Sequence, residues 1–150
     1  MTEFTSARAL FAANLKLHRS RLGVSQEELS RYAGLARNTV GYIEKKAPSV
    51  QLDTINRLAI SLDIDPCLLV ATEVTKAIMT YEERPLEECV VHNLKRFRSR
   101  LNLTQEAVAT GAGLARNYVY KIEGRHVRVT LDTLDAIARA LGVATWQLLA

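Results

Sequence analysis

Shifted by 79 positions, the sequence lies on itself. Residues 14–70 align with 93–149 without a gap, and 25 of the 57 pairs are identical. Self-similarity over this length marks duplication of a folding unit, and it limits the fold more than any other property of the chain. The 150 residues divide into two copies of one small domain, each of roughly 65 residues, within the size range that folds alone. The boundaries this suggests are a first domain at 1–70, a linker at 71–84 and a second domain at 85–150.

The pattern within each copy is helical. Residues 6–22 place Leu10, Phe11, Asn14, Leu15, His18 and Leu22 on one face at helical spacing, with Ser6 as cap and Gly23 as stop. Ser25 caps a second helix, with Glu28 three residues on as its capping-box partner. A third helix spans about 36–45. A fourth spans 52–62, with Asp53 in the first turn, where the helix dipole favours an anion. Asp65-Pro66 opens a short fifth helix, since proline is tolerated at a first helical position. The second copy repeats this order: a first helix over 85–101, a second capped by Thr104, a third over 115–124 closed by Gly124, a fourth over 131–141 capped by Thr130, and a last turn capped by Thr145. Residues 71–84 have no counterpart and read as a linker with at most a turn of helix. The predicted fold class is all-α, two tandem five-helix domains joined by a short linker.

The most specific stretch is 26–44, with its copy 105–123. Each is two short helices joined by a tight turn. Gly34 and Gly113 stand where the first of the pair must stop, in a left-handed conformation that only glycine adopts without a Cβ clash. Four residues earlier stand Ser30 and Ala109, small enough for two helices to cross closely. Leu29, Ala33, Leu35, Val40 and Ile43 face inward, as do Val108, Ala112, Leu114, Val119 and Ile122. This pattern resembles the helix-turn-helix of the Cro/phage-repressor (XRE) type, and the resemblance covers both copies with their flanking helices.

The resemblance implies two lambda-repressor-like domains in a sequence-specific, double-stranded-DNA-binding transcriptional regulator. The third helix of each would enter the major groove. On positions matching the family pattern, the base-reading residues are Arg37, Asn38 and Tyr42, then Arg116, Asn117 and Lys121. Arginine can donate two hydrogen bonds to guanine O6 and N7, and asparagine can pair with adenine N6 and N7. Both copies carry Ala-Arg-Asn here but diverge at Thr39 versus Tyr118, Gly41 versus Tyr120 and Tyr42 versus Lys121, which predicts related but unequal half-sites. Tyr118 and Tyr120 either stack on sugars and thymine methyl groups or simply cover the surface. The family usually has glutamine touching the DNA backbone at the positions of Gln26 and Gln105. Lys45 and Lys46 after the first recognition helix, and Arg125, His126 and Arg128 after the second, read as phosphate contacts or as solvated loops. Arg19 and Arg98 match an arginine that pairs with the glutamate closing the third helix, here Glu44 and Glu123, and have a structural role. The first copy departs from the family pattern in having Lys45 where a glycine usually follows that glutamate, and both have valine, Val50 and Val129, where proline often precedes the fourth helix.

Other properties narrow the function further. A net charge of +4 and a pI near 9.3 suit a polyanionic partner without requiring one. Cys67 and Cys89 have neither CxxC spacing nor a nearby histidine cluster, which argues against a disulfide framework or zinc site; small hydrophobes in a reducing cytosol is the simpler reading. No signal peptide or membrane-length apolar run is found, so a cytoplasmic location is expected. His18, His92 and His126 are scattered and no catalytic motif occurs, so no enzyme activity and no cofactor are expected. The rival is a protein-interaction module, antitoxin-like or polymerase-associated, in which one or both copies do not read DNA. The sequence is compatible with a monomer acting as a covalent pseudo-dimer, with a homodimer, and with a further protein partner. Repression by occlusion is favoured, since no activation surface is recognisable.

Overall fold

A computed structural model of the chain describes residues 6–72 and 83–150, so most of the expected linker lies outside the described residues. The first unit consists of α1 (Ala7–Leu22), α2 (Gln26–Tyr32), α3 (Thr39–Lys46), α4 (Leu52–Leu62) and α5 (Cys67–Val70). The second repeats them as α6 (Leu86–Arg100), α7 (Gln105–Gly111), α8 (Tyr118–Glu123), α9 (Leu131–Leu141) and α10 (Thr145–Leu149). The expected caps are in place. Ser6, Ser25, Thr104 and Thr130 each accept a backbone amide from the first turn of their helix, satisfying donors that the helix itself leaves open.

Burial follows the predicted stripes. Phe11, Leu15, Leu29, Ile55, Leu58 and Leu69 are fully buried in the first unit, and Leu94, Ile122, Leu131 and Leu134 in the second, within one continuous core. Two buried asparagines fasten the last helix of each unit to its first. Asn14 Nδ2 donates to the Leu69 and Ala71 carbonyls at 3.1 Å each. Its counterpart Asn93 donates to those of Leu148 and Ala150 at 3.1 and 2.8 Å. These carbonyls end a helix and have no partner within it, so an amide donor on the apolar face supplies what a leucine there cannot.

Three expectations are corrected. First, α3 and α8 begin at Thr39 and Tyr118, three residues later than the spacing predicts. The amides of Thr39 and Tyr118 bond the carbonyls of Ala36 and Ala115 at 3.0 and 2.9 Å, closing a turn whose third residue, Asn38 or Asn117, sits near ψ 5° or 6°, outside helical geometry. Second, Thr145 is the first residue of α10 and not its cap. Ala144 holds the cap position, and its amide is bound by Gln147 Oε1 at 2.8 Å. Third, Leu22 is 53 % exposed, because the last turn of α1 runs past the core. Gly124 ends α8 as expected, at φ −84°, and Arg125 after it turns left-handed at φ 59°.

The two units pack against each other through reciprocal contacts. The amide of Leu52 bonds the Val129 carbonyl at 3.0 Å, and that of Leu131 bonds the Val50 carbonyl at 2.8 Å. Positions 50 and 129 are equivalent in the repeat, as are 52 and 131. Between them Gln51 and Thr130, also equivalent, form an antiparallel bridge. α1 packs on α9 as α6 packs on α4, and α5 meets its counterpart α10. When contact i to j is matched by j to i, the operator relating the copies is a twofold rotation. The chain is therefore a pseudo-twofold pair built from a head-to-tail sequence repeat.

Candidate nucleic-acid interface

The turn between α2 and α3 closes as the residue types dictate. Gly34 turns left-handed at φ 68° and Gly113 at φ 71°. The amides of Leu35 and Leu114 then reach back to the carbonyls of Ser30 and Ala109 at 2.9 Å. Ser30 is fully buried, and its hydroxyl accepts the Val40 amide at 3.0 Å, tying the start of α3 to α2.

An ion pair sets the orientation of α3 from its other end. Arg19 donates to both Glu44 oxygens at 2.8 and 2.9 Å and to the Val24 carbonyl at 2.9 Å. Arg98 repeats this on Glu123 at 3.0 and 3.3 Å and on Leu103 at 3.2 Å. The glutamates are 4 and 5 % exposed. The hydrogen bond with Glu44 raises the Arg19 pKa above its ordinary value, so the guanidinium stays charged. A bidentate arginine–carboxylate contact fixes angle as well as distance, so α1 and α6 each brace the helix they face.

On this frame the sequence-predicted residues divide by location. Arg37 and Arg116 project from the turns before α3 and α8, 76 and 80 % exposed, and each is held by a carboxylate from the preceding helix. Arg37 Nε lies 3.1 Å from Glu27, and Arg116 Nε lies 2.9 Å from Glu106. Asn38 and Asn117 beside them are exposed and make no side-chain capping bond. Tyr42 lies on the open face of α3, and Lys46 is exposed in its last turn. Thr39, Tyr118 and Lys121 are half-buried, and Tyr118 also packs against the core.

The glutamines differ between the copies. Gln26 lies over Gly41, where an added Cβ would be 3.0 Å from its Oε1. In the second copy Tyr120 stands at that position, and the Gln105 amide instead donates to Glu123. Arg125 is exposed and lies 3.4 Å from Glu88. Arg128 sits in the seam between the units, 3.4 Å from Gln51 Oε1, and not on the open face of α8. Sequence reasoning missed Glu27 and Glu106 as partners of the two arginines. The signal was present in the Gln-Glu and Arg-Asn pairs that recur at the same offset in both copies. It also left Tyr120 undecided; the ring is 60 % exposed. Among the described residues no group of histidines, cysteines or carboxylates is placed to hold a metal ion, and no helix is long and apolar enough to cross a membrane.

The family model for the helix-turn-helix (HTH_3) matches this chain twice, at residues 15–69 and 94–145. Together the two matches span well over half the sequence. The chain belongs to the Cro/C1-type helix-turn-helix family of DNA-binding transcriptional regulators. Its similarity to individual family members extends over about one unit. A hypothetical transcription factor of Neisseria meningitidis serogroup B is 35 % identical over 68 residues, 45 % of this chain and 64 % of that protein. The control protein C.SmaI of Serratia marcescens is 36 % identical over 64 residues, 43 % of this chain and 76 % of its own length. A crystal structure of the hypothetical transcription factor NHTF from Neisseria superimposes with a TM-score of 0.43 at 32 % identity, covering 49 % of this chain and 88 % of that one.

Proposed function

We propose that this helix-turn-helix chain is a sequence-specific regulator that binds double-stranded DNA with α3 and α8 in successive major grooves, reads two related half-sites, and represses by occlusion in the cytoplasm. One observation carries the reading: two exposed Arg-Asn turns, each at the start of a braced helix, are related by a pseudo-twofold axis. Arg37 and Arg116 would take guanine O6 and N7, and Asn38 and Asn117 adenine N6 and N7. Thr39, Tyr42, Tyr118 and Lys121 would distinguish the halves. Gln26, Lys46, Gln105 and Arg125 would position the units on phosphates, with Arg128 near the operator centre. The work is binding, with no catalytic step. Because duplex DNA also has local twofold symmetry, readers related by a twofold suit half-sites in inverted orientation.

Selection of duplexes from random DNA, followed by a salt series, tests this. The expected result is two related half-sites, inverted and about one helical turn or 34–36 Å apart. Log affinity should fall against log salt by about 0.9 for each phosphate neutralised. Half-sites enriched as a direct repeat would overturn the inverted arrangement. Weak, salt-sensitive binding with no enriched sequence would overturn the regulator reading in favour of a protein-interaction adaptor.

A further inference from the structure

The seam between the units is made partly of backbone, which any two copies of this domain could share. Its side chains are more selective. On the pseudo-twofold axis each residue meets its own counterpart, so a pairing of like units would set identical side chains against each other. One such position holds buried Cys67, whose thiol lies 3.5 Å from the carbonyl oxygen of its counterpart, half-buried Trp146. The thiol also accepts from Arg84 Nη2 at 3.2 Å. A pair of second units lacks the cysteine, and a pair of first units lacks Arg84, whose counterpart is Thr5, so neither pairing of like units keeps this contact.

A clasp around Asp65 fits unlike units only, and the flanks disfavour a pair of second units. Arg84, where the chain enters the second unit, donates to both oxygens of buried Asp65 in the first unit at 2.7 and 2.9 Å. Its Nε donates at 2.8 Å to the carbonyl of Leu149 in the second. The counterpart of Asp65 is Ala144, which has no carboxylate, so a pair of second units lacks this clasp. On one flank of the seam Arg8 makes a bidentate ion pair with Asp132. On the other flank the equivalent positions hold Glu87 and Asp53, two carboxylates lining one cleft. A pair of second units would set Glu87 against Asp132 on both flanks. The flanks alone would tolerate two first units, but such a pair has no Arg84 to hold its two buried Asp65 carboxylates.

We infer that the seam is specific for unlike units and is satisfied within one chain, so that the protein is a monomer in solution and occupies a two-half-site operator as a single chain without a prior association step. The statement about the operator rests on the proposed function; the statement about the monomer does not. Sedimentation of the full chain without DNA should therefore give 16.7 kDa across the micromolar range. With the selected duplex, titration should end at one chain per duplex, with a binding isotherm of unit Hill slope. Twice the monomer mass at micromolar concentration would overturn the inference. So would two chains per duplex with a slope near two.

The clasp has its own test. Arg84→Ala and Asp65→Asn should each lower the unfolding temperature of the full chain, and the double variant should cost little more than the worse single one, because both remove the same contact. If the two losses simply add, the Arg84–Asp65 pair is not what selects unlike units. If the chain is monomeric but binds no DNA, the regulator reading fails and the seam stands.

Discussion

The hydroxyl of Ser30 and the amide of Val40 lie 3.0 Å apart in a hydrogen bond that solvent does not reach. It satisfies a donor in the first turn of α3, which the helix leaves open, and the second copy has Ala109 at the same place. Ser30→Ala should cost roughly 1 kcal/mol, read as a shift of the urea midpoint with an unchanged slope. Ala109→Ser offers the missing acceptor and should be neutral or stabilising. A Ser30→Ala variant as stable as the parent would show that water replaces the hydroxyl.

Arg19→Ala and Arg98→Ala each leave a nearly buried glutamate without its guanidinium. The loss for a fully buried pair is about 3–5 kcal/mol, and the remaining exposure of these arginines should reduce it to about 2–3 kcal/mol. Thermal melting should show the loss directly. DNA binding should fall only in proportion to the unfolded fraction, so a variant that melts normally yet fails to bind would move these arginines into the interface.

Arg37→Ala and Arg116→Ala should behave in the opposite way. Both side chains are exposed and held only by surface carboxylates, pairs that contribute little to stability, so melting should be unchanged. On DNA each should cost about 1–3 kcal/mol and relax base preference in its own half-site alone. Loss in both halves from one substitution would mean that the arginine acts on the frame.

Acid should weaken the seam before the individual cores. Burial pushes the Asp65 carboxyl up, but hydrogen bonds from Arg84 and from the Cys67 amide and thiol, with the charge of Arg84, outweigh it and hold the group below the usual carboxylate range. The hydrogen bond from Arg8 does the same for Asp132. A depressed folded value contributes stability that is complete above the unfolded value of about 3.9 and is lost as pH falls through the folded one. Stability should therefore drop below about pH 4, and Asp65→Asn should flatten that drop while lowering stability at neutral pH. An unaltered acid limb in Asp65→Asn would remove the clasp from the account.

Glu87 stands where Arg8 stands in the other copy, opposite Asp53 where Arg8 meets Asp132. Arg57 already holds Asp53 at 2.9 Å, so Glu87→Arg should raise the melting temperature by no more than an exposed pair contributes. The gain should vanish at high salt, where exposed pairs are screened. A lower melting temperature would show that repulsion from Arg57 and Arg128, which line the same cleft, outweighs the new attraction.

Much of this was legible in the sequence, and what was not has physical causes. The repeat offset, the apolar stripes and the caps Ser6, Ser25, Thr104 and Thr130 are local signals, and each matches the structure. The Arg19–Glu44 and Arg98–Glu123 pairs came from family resemblance, and the geometry bears them out. The start of α3 was misplaced because Ala36-Arg37-Asn38 is sterically acceptable as helix or turn, and only the bond from Thr39 to Ala36 decides it. Gly124 ends α8 as expected, and the left-handed residue after it escaped because Arg125 is neither the glycine nor the asparagine that usually signals that conformation. The seam was invisible for a deeper reason. A linear repeat is a translation along the chain, and nothing in it specifies the rotation relating the folded copies.

The fusion across that axis also changes how the molecule can vary. In an assembly of identical chains, one codon specifies both readers, and any substitution alters both halves of the bound sequence together. Here the turns at 37–38 and 116–117 are separately encoded, and Gly41 against Tyr120 shows that the two surfaces already differ. A change at Tyr120 leaves Gly41 and its neighbours untouched, so under the proposed function one half of the recognised sequence would be free to drift while the other kept the protein in place.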